Sequence, residues 1–164
     1  MKSKRVATFG VLVALAFIFS YIESLVAFSG LIPGMKVGLA NIVIVLALYK
    51  LGEKEAFFIS FVRIVLVGFT FGNMSTMLYS MAGGILSFLA MCIAKRTKLF
   101  SIVGVSILGA IFHNIGQIVI AIWMLESSVL VHYLPLLLLS GLITGIVIGI
   151  VGGELTKRVE GIGC

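Results

Sequence analysis

The sequence predicts an all-α integral membrane protein with six transmembrane helices and both termini in the cytoplasm. Three observations carry this. Hydrophobic residues make up 61% of the 164 and charged residues only 11%, with a mean hydropathy of +1.27, whereas a soluble domain carries about a quarter charged residues. The apolar residues fall into six runs separated by short polar breaks. The basic residues gather in alternate breaks, as the positive-inside rule requires. The chain reads as one polytopic domain, 1–164, with no room for an added soluble module. Its net charge of +6 does not suggest nucleic acid, because the basic residues are dealt out in small groups between apolar segments.

The first helix is expected over about 6–27. Met1-Lys2-Ser3-Lys4-Arg5 followed by an apolar run looks like a signal peptide. The run continues to Ile22, long for a signal core, and no small-x-small cleavage site precedes Glu23, so a retained helix is the reading. A loop holding Ser29-Gly30-Leu31-Ile32-Pro33-Gly34 leads to a second helix over about 37–49. At ~1.5 Å per residue that helix is roughly 20 Å long, short of a ~30 Å hydrocarbon core. It is expected to be broken, tilted or supported by a loop that dips inward. Lys50-Leu51-Gly52-Glu53-Lys54 is a tight turn into a third helix, about 56–71. Gly72-Asn73 turns the chain into a fourth, about 75–94, with Asn73 as a candidate cap. Lys95-Arg96-Thr97-Lys98 breaks it, and the last two helices run over about 101–125 and 133–155.

With six spans, one side receives Lys2, Lys4, Arg5, Lys50, Lys54, Lys95, Arg96, Lys98, Lys157 and Arg158, and the opposite loops receive only Lys36. That bias places both termini in the cytoplasm. Cys92 then falls near the cytoplasmic end of a helix and Cys164 at a terminus on the reducing side, and the two give no disulfide framework. Gly141, Gly145 and Gly149 form a ridge on the sixth helix. Such ridges pack helices closely within one chain or slide against a partner. In the first helix Ala7, Gly10 and Ala14 make a small-residue stripe open to the same two readings.

Three polar elements stand at bilayer depth. His113-Asn114-Ile115-Gly116-Gln117 interrupts an otherwise apolar span. His113 and Gln117 are one turn apart and share a face, as do Asn114 and Gln117. Lipid satisfies none of these groups, so they face protein, water or a ligand. Two histidines in the whole chain, one of them in an outer loop, make a metal site a poor fit. Arg63 falls near the midplane, where an arginine costs roughly 2.5–3.5 kcal/mol on insertion scales. Either a carboxylate such as Glu23 or Glu126 pairs with it, or it binds an anionic ligand. The third element is Pro33-Gly34-Met35-Lys36-Val37-Gly38-Leu39-Ala40-Asn41. There a fixed turn aims the positive end of the second helix outward beside Lys36, with Asn41 a turn inside. Tyr79 and Ser80, just before Ala82-Gly83-Gly84, are weaker candidates to line the same site, and Phe17, Tyr21, Phe28 and Trp123 are the aromatics available for stacking.

The Pro33–Asn41 run, Arg63, Ala82-Gly83-Gly84, Gly104-Val105-Ser106, Gly109-Ala110 and His113-Asn114-x-Gly116-Gln117 together resemble a bacterial membrane family. That family is called heptaprenyl diphosphate synthase component I or the Gx transporter family, and the resemblance spans about residues 5–158. It is similar in turn to the substrate-binding S components of energy-coupling factor (ECF) transporters. The resemblance implies a multi-pass protein of the bacterial cell membrane. It would capture a small, anionic or vitamin-like solute from outside and work with a membrane scaffold subunit and two ATPases. It further implies Lys36, Asn41, Arg63, Tyr79, His113, Asn114 and Gln117 as solute-binding residues, and Ala7, Gly10 and Ala14 as the face that meets the scaffold. No cofactor is expected. The other half of the family's label fits the residues less well. Prenyl chain elongation ordinarily holds magnesium and diphosphate on aspartate-rich motifs, and this chain has no aspartate and six scattered glutamates. A noncatalytic membrane accessory to isoprenoid or quinone synthesis is the alternative reading. There is no nucleotide-binding P-loop motif, so ATP-driven transport needs a partner ATPase.

Overall fold

A computed structural model describes residues 2–25 and 38–159. The chain forms α1 (Lys2–Leu25), α2 (Leu39–Lys50), α3 (Glu53–Thr70), α4 (Met74–Thr97), α5 (Ile102–Leu125) and α6 (Leu134–Arg158), with a short 3-10 helix, Ser128–Tyr133, before the last. No strand occurs among the described residues. The expected loop at 29–34, Lys36 and Cys164 lie outside them.

Four segments are long and apolar enough to cross a membrane: Arg5–Leu25, Met74–Thr97, Ile102–Leu125 and Ser128–Arg158. The other two helices differ for separate reasons. α2 has only 12 residues. α3 has 18 but carries Glu53, Lys54, Glu55 and Arg63. Helix ends also differ from the sequence expectation where charged residues were read as breaks. α4 runs straight through Lys95 and Arg96 and stops only where Lys98 turns left-handed, φ 57°. Lysine and arginine are good helix formers and suit a helix C-terminus. The other end of α4 is the expected cap: the Asn73 side chain accepts from the Thr76 N–H at 2.8 Å and the Thr76 hydroxyl accepts from the Asn73 N–H at 2.9 Å.

α3, α4, α5 and α6 pack neighbour to neighbour, α2 sits between α6 and α3, and α1 lies over α2 and α3. α2 is therefore enclosed, and Ile42 to Leu48 are all buried. The charged helix ends gather at one end of the bundle. Arg5 of α1 pairs with Glu55 of α3 at 3.0 Å and reaches the Leu51 carbonyl at 3.4 Å. Arg96 of α4 grips Glu53 with two hydrogen bonds, 3.0 and 2.5 Å. Lys95 donates to the Leu48 carbonyl at 2.6 Å and lies over the Tyr49 ring, 5.1 Å from its centroid.

α5 is held between α4 and α6 by close backbone approach. A Cβ on Gly145 would stand 2.7 Å from Ile107 Cα, one on Gly149 2.6 Å from Val103 Cα, and one on Gly141 2.8 Å from Asn114 Nδ2. The α6 glycine ridge thus packs within the chain, against α5. On the opposite flank a Cβ on Gly116 would meet the Ala82 carbonyl at 2.8 Å. Lipid tails are as apolar as leucine, so this contact comes from dispersion between fitted surfaces rather than from escape from water. Gly10 of α1 is different: a Cβ there meets nothing within 4 Å. Gly145→Leu should therefore lower the stability of the detergent-solubilised protein by about 1–3 kcal/mol. Gly10→Leu should change it by under about 0.5 kcal/mol. Thermal unfolding of the two variants checks the contrast.

Candidate solute-binding site

The site begins at the N-terminal end of the short helix. Gly38 precedes α2 at φ 76°, a left-handed conformation that suits glycine. There is little room for a side chain, since a Cβ would lie 3.1 Å from the Ile148 methyl and 3.2 Å from Asn41 Nδ2. Asn41 N donates to the Gly38 carbonyl at 2.8 Å, which closes the first turn. The Gly38 N–H, at the positive end of the helix, donates to a carboxylate oxygen of Glu23 on α1. Glu23 is 9% exposed, deep for a carboxylate.

Arg63 of α3 is the second member. It is also 9% exposed, and its Nε is buried without a hydrogen-bond partner. Glu23 is the charge that acts on it. One carboxylate thus serves both the end of α2 and the guanidinium. A buried donor left unmade costs about 1–3 kcal/mol, more when it is charged. Such a group marks a place where an acceptor is missing.

The second polar group divides between two neighbours. A Cβ on Gly83 of α4 would stand 2.7 Å from the His113 carbonyl, 3.2 Å from its imidazole Cε1 and 2.8 Å from Gln117 Cγ. His113 and Gln117 therefore lie against α4. Asn114 turns the other way and donates from Nδ2 to the Leu137 carbonyl of α6 at 2.6 Å, which makes it a helix-to-helix tie. Gly84, next to Gly83, packs on Ile64, whose Cδ1 lies 2.7 Å from where its Cβ would be. The paired glycines thus bring the neighbour of Arg63 and the His113 group to α4 at one level.

The structure gathers Asn41, Glu23 and Arg63 around the start of α2, and His113 and Gln117 against Gly83. Tyr79 is one turn before Gly83 on the same face of α4, partly buried. Lys36 lies outside the described residues. Among the candidate aromatics, Phe17 and Tyr21 both pack on Phe71 at 5.5 Å between centroids, Phe28 lies outside the described residues, and Trp123 is 77% exposed on the outer surface of α5. Glu23, the one carboxylate in the first apolar run, is from sequence a candidate counter-charge for Arg63, and the structure adds its hold on Gly38. Among the described residues no three His, Cys or acidic side chains come together as a metal would need.

Ala7, Gly10 and Ala14 are all exposed, so no other helix of the chain covers that stripe among the described residues. Beside it runs an apolar groove of about 530 Å³ between α1 and α6, floored by Ile42, Val43 and Leu46 of α2 and closed at one end by Leu155 and Val159.

A family model described as heptaprenyl diphosphate synthase component I matches residues 12–155. No curated protein and no solved structure matches the chain. The match takes in α2 to α5 whole and most of α1 and α6, including the Glu23–Arg63 pair and the His113 group, and on that extent the chain belongs to the heptaprenyl diphosphate synthase component I family.

Proposed function

We propose that this protein is the solute-binding, S component-like membrane subunit of an ECF importer for a small anionic or vitamin-like solute. The observation that carries the reading is Arg63: a guanidinium nine-tenths buried, with an unpartnered Nε, near the positive end of α2. Asn41, Tyr79, His113 and Gln117 supply further polar groups at or above that level, Asn114 fixes the wall they stand on, and Lys36 precedes the α2 turn. In this reading all six helices lie within the bilayer, α2 as a short enclosed segment. The end that gathers Arg5, Lys95 and Arg96 faces the cytoplasm, following the positive-inside rule. Ala7, Gly10 and Ala14 meet the scaffold subunit, which two ATPases drive. The chain itself binds and does not catalyse.

Two measurements test this. A screen of anionic metabolites by thermal unfolding should find a solute that raises the transition temperature of the wild-type protein. Arg63→Ala and His113→Ala should each weaken that binding by about 1.5–3 kcal/mol, ten- to more than a hundredfold. A screen in which no solute stabilises the protein, or in which Arg63→Ala binds as well as wild type, overturns the reading. Affinity purification from the native membrane should bring down a scaffold subunit and ATPases, and Gly10→Leu should lose them while keeping the solute response.

The family's description supports a second reading, a noncatalytic membrane accessory to a prenyl diphosphate synthase. The apolar groove beside α1 suits a hydrocarbon chain. Recovery of a soluble prenyl synthase in place of ATPases, in that same purification, decides for it.

A further inference from the structure

The Gly38 N–H and the buried Arg63 guanidinium both suit an anion, and Glu23 already holds the first and acts through its charge on the second. Two independent observations meet here. The first is the start of a 12-residue helix held in a left-handed glycine turn. The second is an arginine more than nine-tenths buried whose Nε has no acceptor. Glu23 answers the first with a hydrogen bond and the second only through its charge. The cradle is therefore occupied but not saturated. What occupies it is a carboxylate on a two-methylene tether, carried by a different helix from either partner.

We propose that Glu23 is a built-in placeholder for a carboxylate of the solute. In the empty protein it occupies the α2 N-terminus and neutralises Arg63. An incoming carboxylate takes the Gly38 N–H and the free Nε, and Glu23 swings out. This rests on the solute-binding reading above and adds the class of the recognised group and a competition built into the site. The chemistry follows from the cradle: one backbone N–H and one guanidinium edge suit a planar pair of oxygens. Because the competitor is tethered, the apparent affinity of wild type is reduced by the fraction of time that Glu23 is in place. A free carboxylate that fills both donors gains the hydrogen bond to Nε that Glu23 leaves unmade.

The test uses the full chain in detergent. Its thermal transition is titrated with sodium acetate against sodium chloride at equal ionic strength, and in parallel with inorganic phosphate. Glu23→Gln removes the competing charge and should bind acetate about tenfold or more tightly than wild type, for a placeholder in position about 90% of the time. Adding Arg63→Met to Glu23→Gln should abolish that gain. Glu23→Asp keeps the charge but shortens the tether, and should fall between; it decides the matter if Glu23→Gln does not fold. Equal, Arg63-dependent acetate binding in wild type and Glu23 variants removes the placeholder and leaves the solute site standing. Loss of acetate binding in Glu23→Gln does the same, and makes Glu23 a residue that orders the site rather than one that competes for it. Tighter binding of phosphate than of acetate overturns the carboxylate class. No response to either anion in any variant, or one that survives Arg63→Met, overturns both the placeholder and the anion site on which it rests.

Discussion

A helix of 12 residues enclosed by longer ones presents four unpaired N–H groups at one end and four unpaired carbonyls at the other, and neither end reaches bulk water easily. α2 is in that position, and much of the charge in the bundle is arranged around it. At its C-terminal end Lys95 of α4 takes the Leu48 carbonyl, and Arg5 of α1 takes the Leu51 carbonyl just beyond. At its N-terminal end Glu23 takes the Gly38 N–H. Cations thus meet the negative end of the helix dipole and an anion meets the positive end. The side chains that do this come from α1 and α4, so the end groups of one short helix tie both of those helices to it.

A different means joins α4 to the remaining helices. α4, α5 and α6 form a slab in which glycine lets backbone approach backbone, at Gly83 and Gly116 on one side of α5 and at Gly141, Gly145 and Gly149 on the other. Such contact leaves no slack, and it decides what the polar residues of α5 can do. Asn114 is committed to the Leu137 carbonyl and acts as a tie between walls, while His113 and Gln117 stand against the bare Gly83 surface. The slab and the charge-stitched α1–α2–α3 half meet along two seams, α2 on α6 and α3 on α4 at the paired glycines. Polar groups that lie far apart in sequence therefore come to one level.

Most of the architecture was legible in the chain because lipid imposes a simple code. Apolar run lengths gave all six helices, and the shortness of α2 was evident from its residue count. Glycine spacing gave the α6 ridge, and Asn73 announced its cap. What failed were the ends. Lys95 and Arg96 were read as breakers because charge usually marks a bilayer boundary, yet both fit inside α4 once partners on α2 and α3 are supplied. The site was legible in its parts and not in its wiring. Arg63 and His113 stood out as costly, but a sequence cannot say that Asn114 would spend its amide on α6. Nor can it say that Glu23, far from Gly38 along the chain, would be its acceptor. Those facts depend on which faces meet, and periodicity does not determine them when nearly every face is apolar.

The position of Glu23 ties the proposed site to the proposed docking face through a single element. Its helix, α1, also carries Ala7, Gly10 and Ala14 on an uncovered face toward the opposite end, ~14 to ~24 Å away at about 1.5 Å per residue. A ligand can shift an equilibrium between two positions of a helix only by as much as it distinguishes them. Among the described contacts, the carboxylate bound to Gly38 is one that an anion at Arg63 would have to break. It also ties α1 to α2 at the Gly38 end, whereas at the other end Arg5 ties α1 to Glu55 and Leu51. Between those two ends α1 is held by packing, with Leu12 and Ala16 in the core and Phe17 and Tyr21 on Phe71. The groove over Ile42, Val43 and Leu46, beside which Ala7, Gly10 and Ala14 lie, runs along the same helix. In the proposed importer, α1 is thus the element common to the Glu23 contact and to the face a partner meets without touching the solute.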